Sequence, residues 1–183
     1  MELFLTYCSW QKDDSLKKSS KKVTPDILYT SPRIVQFIKK CEKERVNWAI
    51  FSDKYGIWFP NEAHEWYDYP PENVTQSEFI QLAENAEKSL EKYNVFFFGD
   101  VKREDFPPLY SKLIEYLKNN KISIKVFSEI SQIEELKKDS NSLYAPHSTI
   151  LFLTICSFKK STEGMVSSLF SLIRAIASTV DPV

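Results

Sequence analysis

Short apolar runs alternate with helical patterns along this chain, and that alternation limits the fold more than any other feature. The runs are residues 3–8 (Leu-Phe-Leu-Thr-Tyr-Cys), 46–51, 95–98 and 122–127, with another from Thr149 to Ile155. Each has the length of a strand, and several of the intervening segments carry apolar residues at i, i+3, i+4 and i+7. Strands separated by helices imply βαβ units. The expected fold is therefore α/β: a single domain over residues 1–183, with a mostly parallel sheet of about five strands and helices on both faces. Residues 160–183 hold Val166, Leu169, Phe170, Ile173, Ala177 and Val180 at helical spacing, and read as a last helix of that domain or a helical appendage to it.

The helices carry their own boundary signals. Ser31-Pro32 supplies an N-cap and a proline at the first helical position, and Ile34, Phe37, Ile38 and Cys41 follow on one face, which predicts a helix over 32–44. Thr75 and Glu78 have the spacing of a capping box, with Phe79, Leu82, Ala83, Ala86 and Leu90 as one stripe behind it, which predicts a helix over 76–92. Pro107-Pro108 opens a helix with Leu109, Leu113 and Leu117 on one face, and a short helix follows Ser131. Two segments carry no period. Residues 9–24, rich in lysine, serine and aspartate, predict an irregular surface loop with room to move. Residues 58–69 crowd Trp58, Phe59, His64, Trp66, Tyr67 and Tyr69 together, and predict a loop packed over the sheet.

The charge balance restricts partners. Lys and Arg number 24 against 25 Asp and Glu, so any nucleic-acid role must rest on a local patch. Cys8, Cys41 and Cys156 are widely spaced and lie in apolar stretches, which suits reduced thiols. The first residues lack a basic region, and the apolar stretch from Ile150 to Phe158 is too short to span a bilayer. A cytoplasmic protein with no membrane partner is expected. His64 and His147 stand apart from each other and from any cysteine pair, so no metal site is expected. No glycine-rich phosphate loop or nucleophile elbow occurs, and no cofactor is expected.

Chemistry is concentrated where strands end. The run Trp48-Ala49-Ile50-Phe51 breaks off into Ser52-Asp53-Lys54-Tyr55-Gly56, one of only three glycines. In a parallel sheet this segment emerges at the same edge as Ser9 to Lys12 and Gly99-Asp100, the edge at which open α/β sheets bind ligands. Lys12 and Lys54 are candidates for an anion anchor, base or nucleophile, and Cys8 is a candidate nucleophile at a strand end. Tyr29-Thr30-Ser31-Pro32-Arg33 places hydroxyls and an arginine at a helix N-terminus, which suits an anion.

These residues form three blocks: Cys8-Ser9-x-x-Lys12, Leu28-Tyr29-Thr30-Ser31-x-Arg33 and Ser52-Asp53-Lys54-Tyr55-Gly56. In that order they resemble an uncharacterised family of small α/β proteins with the motifs Cys-Ser-x-x-Lys, Leu-Tyr-x-Ser and Ser-x-Lys-Tyr-Gly. More distantly, the first two blocks are similar to the lysine-motif domain of archaeosine synthase, which modifies a deazaguanine base in transfer RNA, and to the DNA-binding YaaA proteins. The resemblance implies a site formed by Ser9, Lys12, Ser31, Arg33, Ser52, Lys54 and Gly56, with a leaning toward nucleobases or nucleic acids. The expected function is binding of a nucleotide-like or nucleobase ligand at the strand-end cleft, within nucleic-acid base modification. Lys12, Arg33 and Lys54 would hold anionic groups and Tyr55 or Trp58 would stack. The alternatives are a non-enzymatic DNA- or RNA-binding protein using the lysine-rich loop 12–22, and a scaffold that docks a protein through residues 58–69.

Overall fold

The computed structural model of the protein describes residues 1–143; the expected strand at 149–155 and helix at 160–183 lie outside them. The chain divides into Met1–Ser140 and Asn141–Val183, and the described residues are the whole of the first unit and residues 141–143. Its elements in order are β1 (Glu2–Tyr7), α1 (Pro25–Leu28), α2 (Pro32–Glu44), β2 (Trp48–Ser52), β3 (Gly56–Trp58), α3 (Gln76–Leu90), β4 (Asn94–Phe98), α4 (Pro108–Asn119), β5 (Ile124–Phe127) and α5 (Gln132–Leu143).

The sheet has five strands in the order β3-β2-β1-β4-β5. The pairs β2–β1, β1–β4 and β4–β5 are parallel, with Leu5 level with Ala49 on one side and with Phe97 on the other. The chain leaves β1 in one direction for β2, then crosses to β4 on its other side. Right-handed crossovers running in opposite directions put their helices on opposite faces. The packing follows that rule: α2 and α5 share one apolar cluster, α3 and α4 the other.

Strand periodicity sorts the side chains between these clusters. Leu3, Leu5, Ala49, Phe51, Val95 and Phe97 face α3 and α4, while Phe4, Trp48, Ile50 and Phe98 face α2. Every one of these is buried, as a parallel sheet covered on both faces requires.

Helix α2 begins where expected: Ser31 is the N-cap, its Oγ accepting from the Ile34 N–H at 3.4 Å, and Pro32 is the first helical residue. At its far end Arg45 takes the left-handed conformation, φ 55°, and its N–H closes on the carbonyls of Cys41 and Glu42. Helix α3 carries the full capping box between Thr75 and Glu78 and ends at Leu90, two residues short of the expected boundary.

Two segments differ from expectation. Residues 9–24 are pinned rather than loose: Leu16 is buried inside a one-turn 3-10 helix, and the Asp13 N–H donates to Leu28 O at 2.9 Å. Asp14, Lys17, Lys18, Lys21 and Lys22 face out while Leu16 and Val23 anchor the segment. Strand β3, antiparallel to β2, replaces what reads in sequence as a loop after Gly56; Ser52 pairs with Gly56 and Ile50 with Trp58.

The hairpin turn explains the scarce glycine. Gly56 has φ +73°, a conformation that costs an L side chain about 1–2 kcal/mol. A Cβ there would meet Leu82 Cδ2 at 3.7 Å, an ordinary contact, so the cost lies in the backbone alone. Gly56→Ala is expected to lower the unfolding free energy by about 1–2 kcal/mol in urea denaturation. Gly56→Asn, which tolerates this region, should recover part of the loss.

Candidate active site

The carboxyl ends of β1 and β2 open into a cavity of about 310 Å3, walled on its far side by the start of α4 and by residues 68–72. It lies beside the crossover from one side of β1 to the other, the position at which doubly wound sheets bind ligands. Its floor is Cys8, the residue after β1, whose N–H is held by Phe51 O at 2.9 Å.

Cys8 belongs to a closed triangle of polar side chains. Its Sγ donates to Asp53 Oδ2 at 3.1 Å, Tyr110 Oη donates to Asp53 Oδ1 at 2.8 Å, and Sγ and Oη lie 3.5 Å apart. Asp53 comes from the turn after β2 and Tyr110 from the first turn of α4, so three separate elements build it. Cys8 is 5 % exposed and Asp53 3 %. Burial, followed by the Asp53 charge, pushes the Cys8 thiol up to about 11. Burial also raises Asp53 above the usual carboxylate range, although both donors and Lys12 pull it down. Proton affinity in this corner is thus shifted toward neutral forms.

Lys12 approaches from the pinned segment. Its backbone bridges Tyr29, and its Nζ lies 4.3 Å from the Tyr67 ring centroid, a cation–π contact. Burial lowers its ammonium below the ordinary lysine value, while the Asp53 and Asp68 charges work to raise it. Ser9, beside it, lines the same cavity and accepts from the Gln11 N–H at 3.1 Å.

Arg33 lines the cavity and holds its floor. Its Nη1 donates to Thr6 Oγ1 at 2.6 Å, and its Nη2 donates to the carbonyls of Tyr7 at 2.7 Å and Cys8 at 3.0 Å. The guanidinium lies 3.8 Å from the Tyr7 ring centroid, and burial lowers its pKa. Thr6 Oγ1 in turn donates to Phe98 O at 3.0 Å, which links α2, β1 and β4 through one arginine.

The remaining expected site residues divide by place. Ser31 is the buried cap of α2, a structural duty. Ser52 is fully buried: its Oγ accepts from the Lys54 and Tyr55 N–H groups and donates to Tyr67 Oη at 2.9 Å, and Tyr67 Oη lies 2.6 Å from Tyr29 Oη. Lys54, Tyr55 and Gly56 line a neighbouring cavity that shares Asp53 and Asp68 with the first. Lys54 is exposed, so it does not converge with Lys12 and Arg33. Neither expected stacking ring faces the first cavity: Tyr55 stacks on His64 at 4.2 Å, and Trp58 is fully buried with its Nε1 donating to Glu62 O at 2.9 Å. Gly99 and Asp100 border a third cavity, separated from the first by Tyr7 and Arg33, and Gly99 is hemmed in by Phe97, Phe106 and Tyr7.

The residues that sequence reading missed are Tyr110 and the 68–72 strap. Tyr110 follows Pro107-Pro108 at the start of a helix that itself follows a parallel strand, so it lies at the same sheet edge as Cys8. Trp10 stands 85 % exposed at the cavity mouth, and Tyr69 closes the opposite rim.

Comparison with family models, curated proteins and solved structures finds no match. Among the described residues, no cluster of His, Cys, Asp and Glu could hold a metal ion, and no helix is long and apolar enough to cross a membrane. Of the lysines of 12–22, Lys12 lines the cavity, while Lys17, 4.9 Å over the Trp66 ring, and Lys18, Lys21 and Lys22 are exposed. Residues 58–69 present no exposed aromatic face, since Trp58 and Tyr67 are buried and Phe59, Trp66 and Tyr69 half-buried.

Proposed function

We propose that the cavity below Trp10 binds a small planar ligand of nucleobase or nucleoside type. The observation that carries this reading is the lining: an exposed indole and a tyrosine at the mouth, and below them a buried carboxylate with a lysine. Aromatic rims stack on planar rings. Asp53, Asp68 and Glu72 accept N–H groups from a heterocycle's edge, and Lys12 donates to its ring nitrogens or exocyclic oxygens. A volume of about 310 Å3 suits a base or nucleoside better than a dinucleotide.

The same lining argues against a phosphate. Arg33 is committed to Thr6 and two carbonyls, and Lys54 lies in the neighbouring cavity, which leaves Lys12 as the cation opposite three carboxylates. Binding of the base is the core of this reading, and work on a base within a nucleic-acid modification pathway is its wider form.

A thermal-shift panel of nucleobases, nucleosides and their 5′-monophosphates tests it. A ligand present at a hundred times its Kd adds about 2.7 kcal/mol to the unfolding free energy, a shift of several degrees in Tm. At least one base or nucleoside should stabilise the protein, its monophosphate should do so less, and Trp10→Ala should weaken the effect about tenfold in Kd, in line with the worth of a base–aromatic stack. No stabilisation by any base or nucleoside, or a shift indifferent to Trp10→Ala, would overturn the assignment.

A further inference from the structure

We propose that Cys8 is a catalytic nucleophile that adds to an electrophilic sp2 carbon of the bound ligand, with Asp53 as the base that takes its proton. Three observations meet here: the thiol, at the edge of the core, also lines a cavity, its hydrogen already points at a carboxylate oxygen 3.1 Å away, and a cation, Lys12, lines the same space. Nucleophile and base within hydrogen-bond reach, with the base oriented by a third group, is the recurring arrangement of covalent catalysis. Tyr110 is that third group, a positioning residue that holds Asp53 Oδ1 at 2.8 Å.

A buried cysteine need not be a catalytic one, and Cys41 shows the contrast. It is fully buried on the core face of α2, against apolar neighbours, and lines none of the cavities described above. Cys8 differs in having a carboxylate partner and an open side. Its thiol is not ionised at rest, since burial and the Asp53 charge hold it protonated. Attack therefore has to be coupled to proton transfer, and Asp53, raised toward neutrality by burial, is a stronger base than an ordinary carboxylate.

The step balances without a cofactor. The Sγ–C bond forms as the π bond of C=X opens, where X is a ring or exocyclic nitrogen or oxygen. The thiol proton passes to Asp53 Oδ2, and the electron pair on X takes a proton from the Lys12 ammonium, whose affinity for it burial has lowered. The product is a covalent, reversible adduct with Asp53 protonated and Lys12 neutral. No leaving group is required. This inference rests on the cavity being a ligand site, and not on the ligand being a nucleobase.

Acrylamide, an electrophile small enough for the cavity, tests it separately from any nucleobase. The full-length native protein is labelled over a range of pH and the adducts are mapped by mass spectrometry. Cys8 should be labelled ahead of Cys41, and its rate should level off once Asp53 is ionised instead of climbing steadily to the thiol's own ionisation. Asp53→Asn should slow labelling near neutral pH on the order of a hundredfold and restore the steady climb. Tyr110→Phe should move the bend in the wild-type profile to higher pH, because the carboxylate loses a donor.

A purely electrostatic role for Asp53 predicts the opposite sign. Removing its charge would then lower the thiol pKa and speed labelling. A rate in Asp53→Asn equal to or above wild type, or a native Cys8 labelled no faster than Cys41, would overturn the proposal. Should Asp53→Asn fail to fold, the wild-type profile decides alone: a steady climb with no bend overturns it.

Discussion

Arg33→Met is expected to destabilise the domain by about 2–3 kcal/mol, the largest effect of any single change near the cavity that leaves its mouth untouched. One guanidinium satisfies Thr6 Oγ1 and the carbonyls of Tyr7 and Cys8, and methionine satisfies none of them. Each buried acceptor left without a donor costs about 1–3 kcal/mol. Two terms reduce the sum: water from the adjoining cavities can reach the carbonyls, and the buried charge itself, with no carboxylate partner among the described residues, no longer has to be desolvated. Arg33→Lys should recover little, because an ammonium cannot reproduce the planar fork.

The measurement is the urea midpoint, with Thr6→Val beside it. Thr6 accepts from Arg33 and donates to Phe98 O, so the two substitutions share one network. Their double-mutant cycle should show coupling of about 1 kcal/mol or more. Additive losses would mean that arginine and threonine act independently, and that the link between β1 and β4 does not run through them.

Alkaline pH should have a larger effect still. Burial pushes Cys8 up to about 11 and raises Cys41, Tyr29, Tyr67 and Tyr110 above their ordinary values. Unfolded, the thiols ionise near 9.0 and the phenols near 10.0. Above those values the folded state keeps protons that the unfolded state has lost, so stability falls as pH rises. Each such group removes about 1.4 kcal/mol per pH unit. Lys12 and Arg33, lowered by burial, work the other way and offset part of that loss.

By about pH 11 the combined loss is roughly 5–10 kcal/mol, comparable to the whole stability of a small domain. Stability should be level through about pH 8 and then drop steeply, with the share of the phenolate absorbance that belongs to Tyr29, Tyr67 and Tyr110, three of the nine tyrosines, rising only as the far-UV dichroism is lost. Phenolate absorbance amounting to all nine tyrosines near pH 10, in a protein that keeps its dichroism, would show that these three are not held as their burial and hydrogen bonds imply.

The features legible in the sequence are those set by local chemistry. Ser31-Pro32 and Thr75/Glu78 start helices because their own side chains and rings satisfy or remove the first N–H groups, and no distant residue is needed. The strands β1, β2 and β4 were readable because parallel strands covered on both faces are near-continuous apolar runs, and the edge strand β5 because Ile122, Ile124 and Val126 alternate with Ser123 and Lys125. Strand β3 was not, since three residues beginning with a glycine carry no period, although a glycine four residues beyond the end of a strand is itself a hairpin signal.

The site divides along the same line. Ser9, Lys12 and Asp53 could be placed at one edge from strand direction alone. Lys54 could not be separated from Asp53, because successive residues of a tight turn point in different directions and only the turn geometry decides which enters the cavity. Arg33 was legible as a charged group at a helix start, but its partners are the carbonyl oxygens of β1, which no residue type announces. Tyr110 lies 57 positions from Asp53, and only the crossover brings them together.

The place of β1 bears on how this protein comes to be folded at all. The strand at the middle of the sheet precedes both of its neighbours in the chain, and neither neighbour is joined to it by a hairpin. Leu3, Phe4 and Leu5 must therefore wait for partners supplied by distant parts of the chain, and each closure has a loop entropy to overcome before any pairing rewards it. During that wait β1 is an unpaired apolar strand with two open edges. Slow refolding and loss to aggregation at high concentration are the natural hazards of such an arrangement, and mutations in β1 should act on folding yield well before they act on the finished protein.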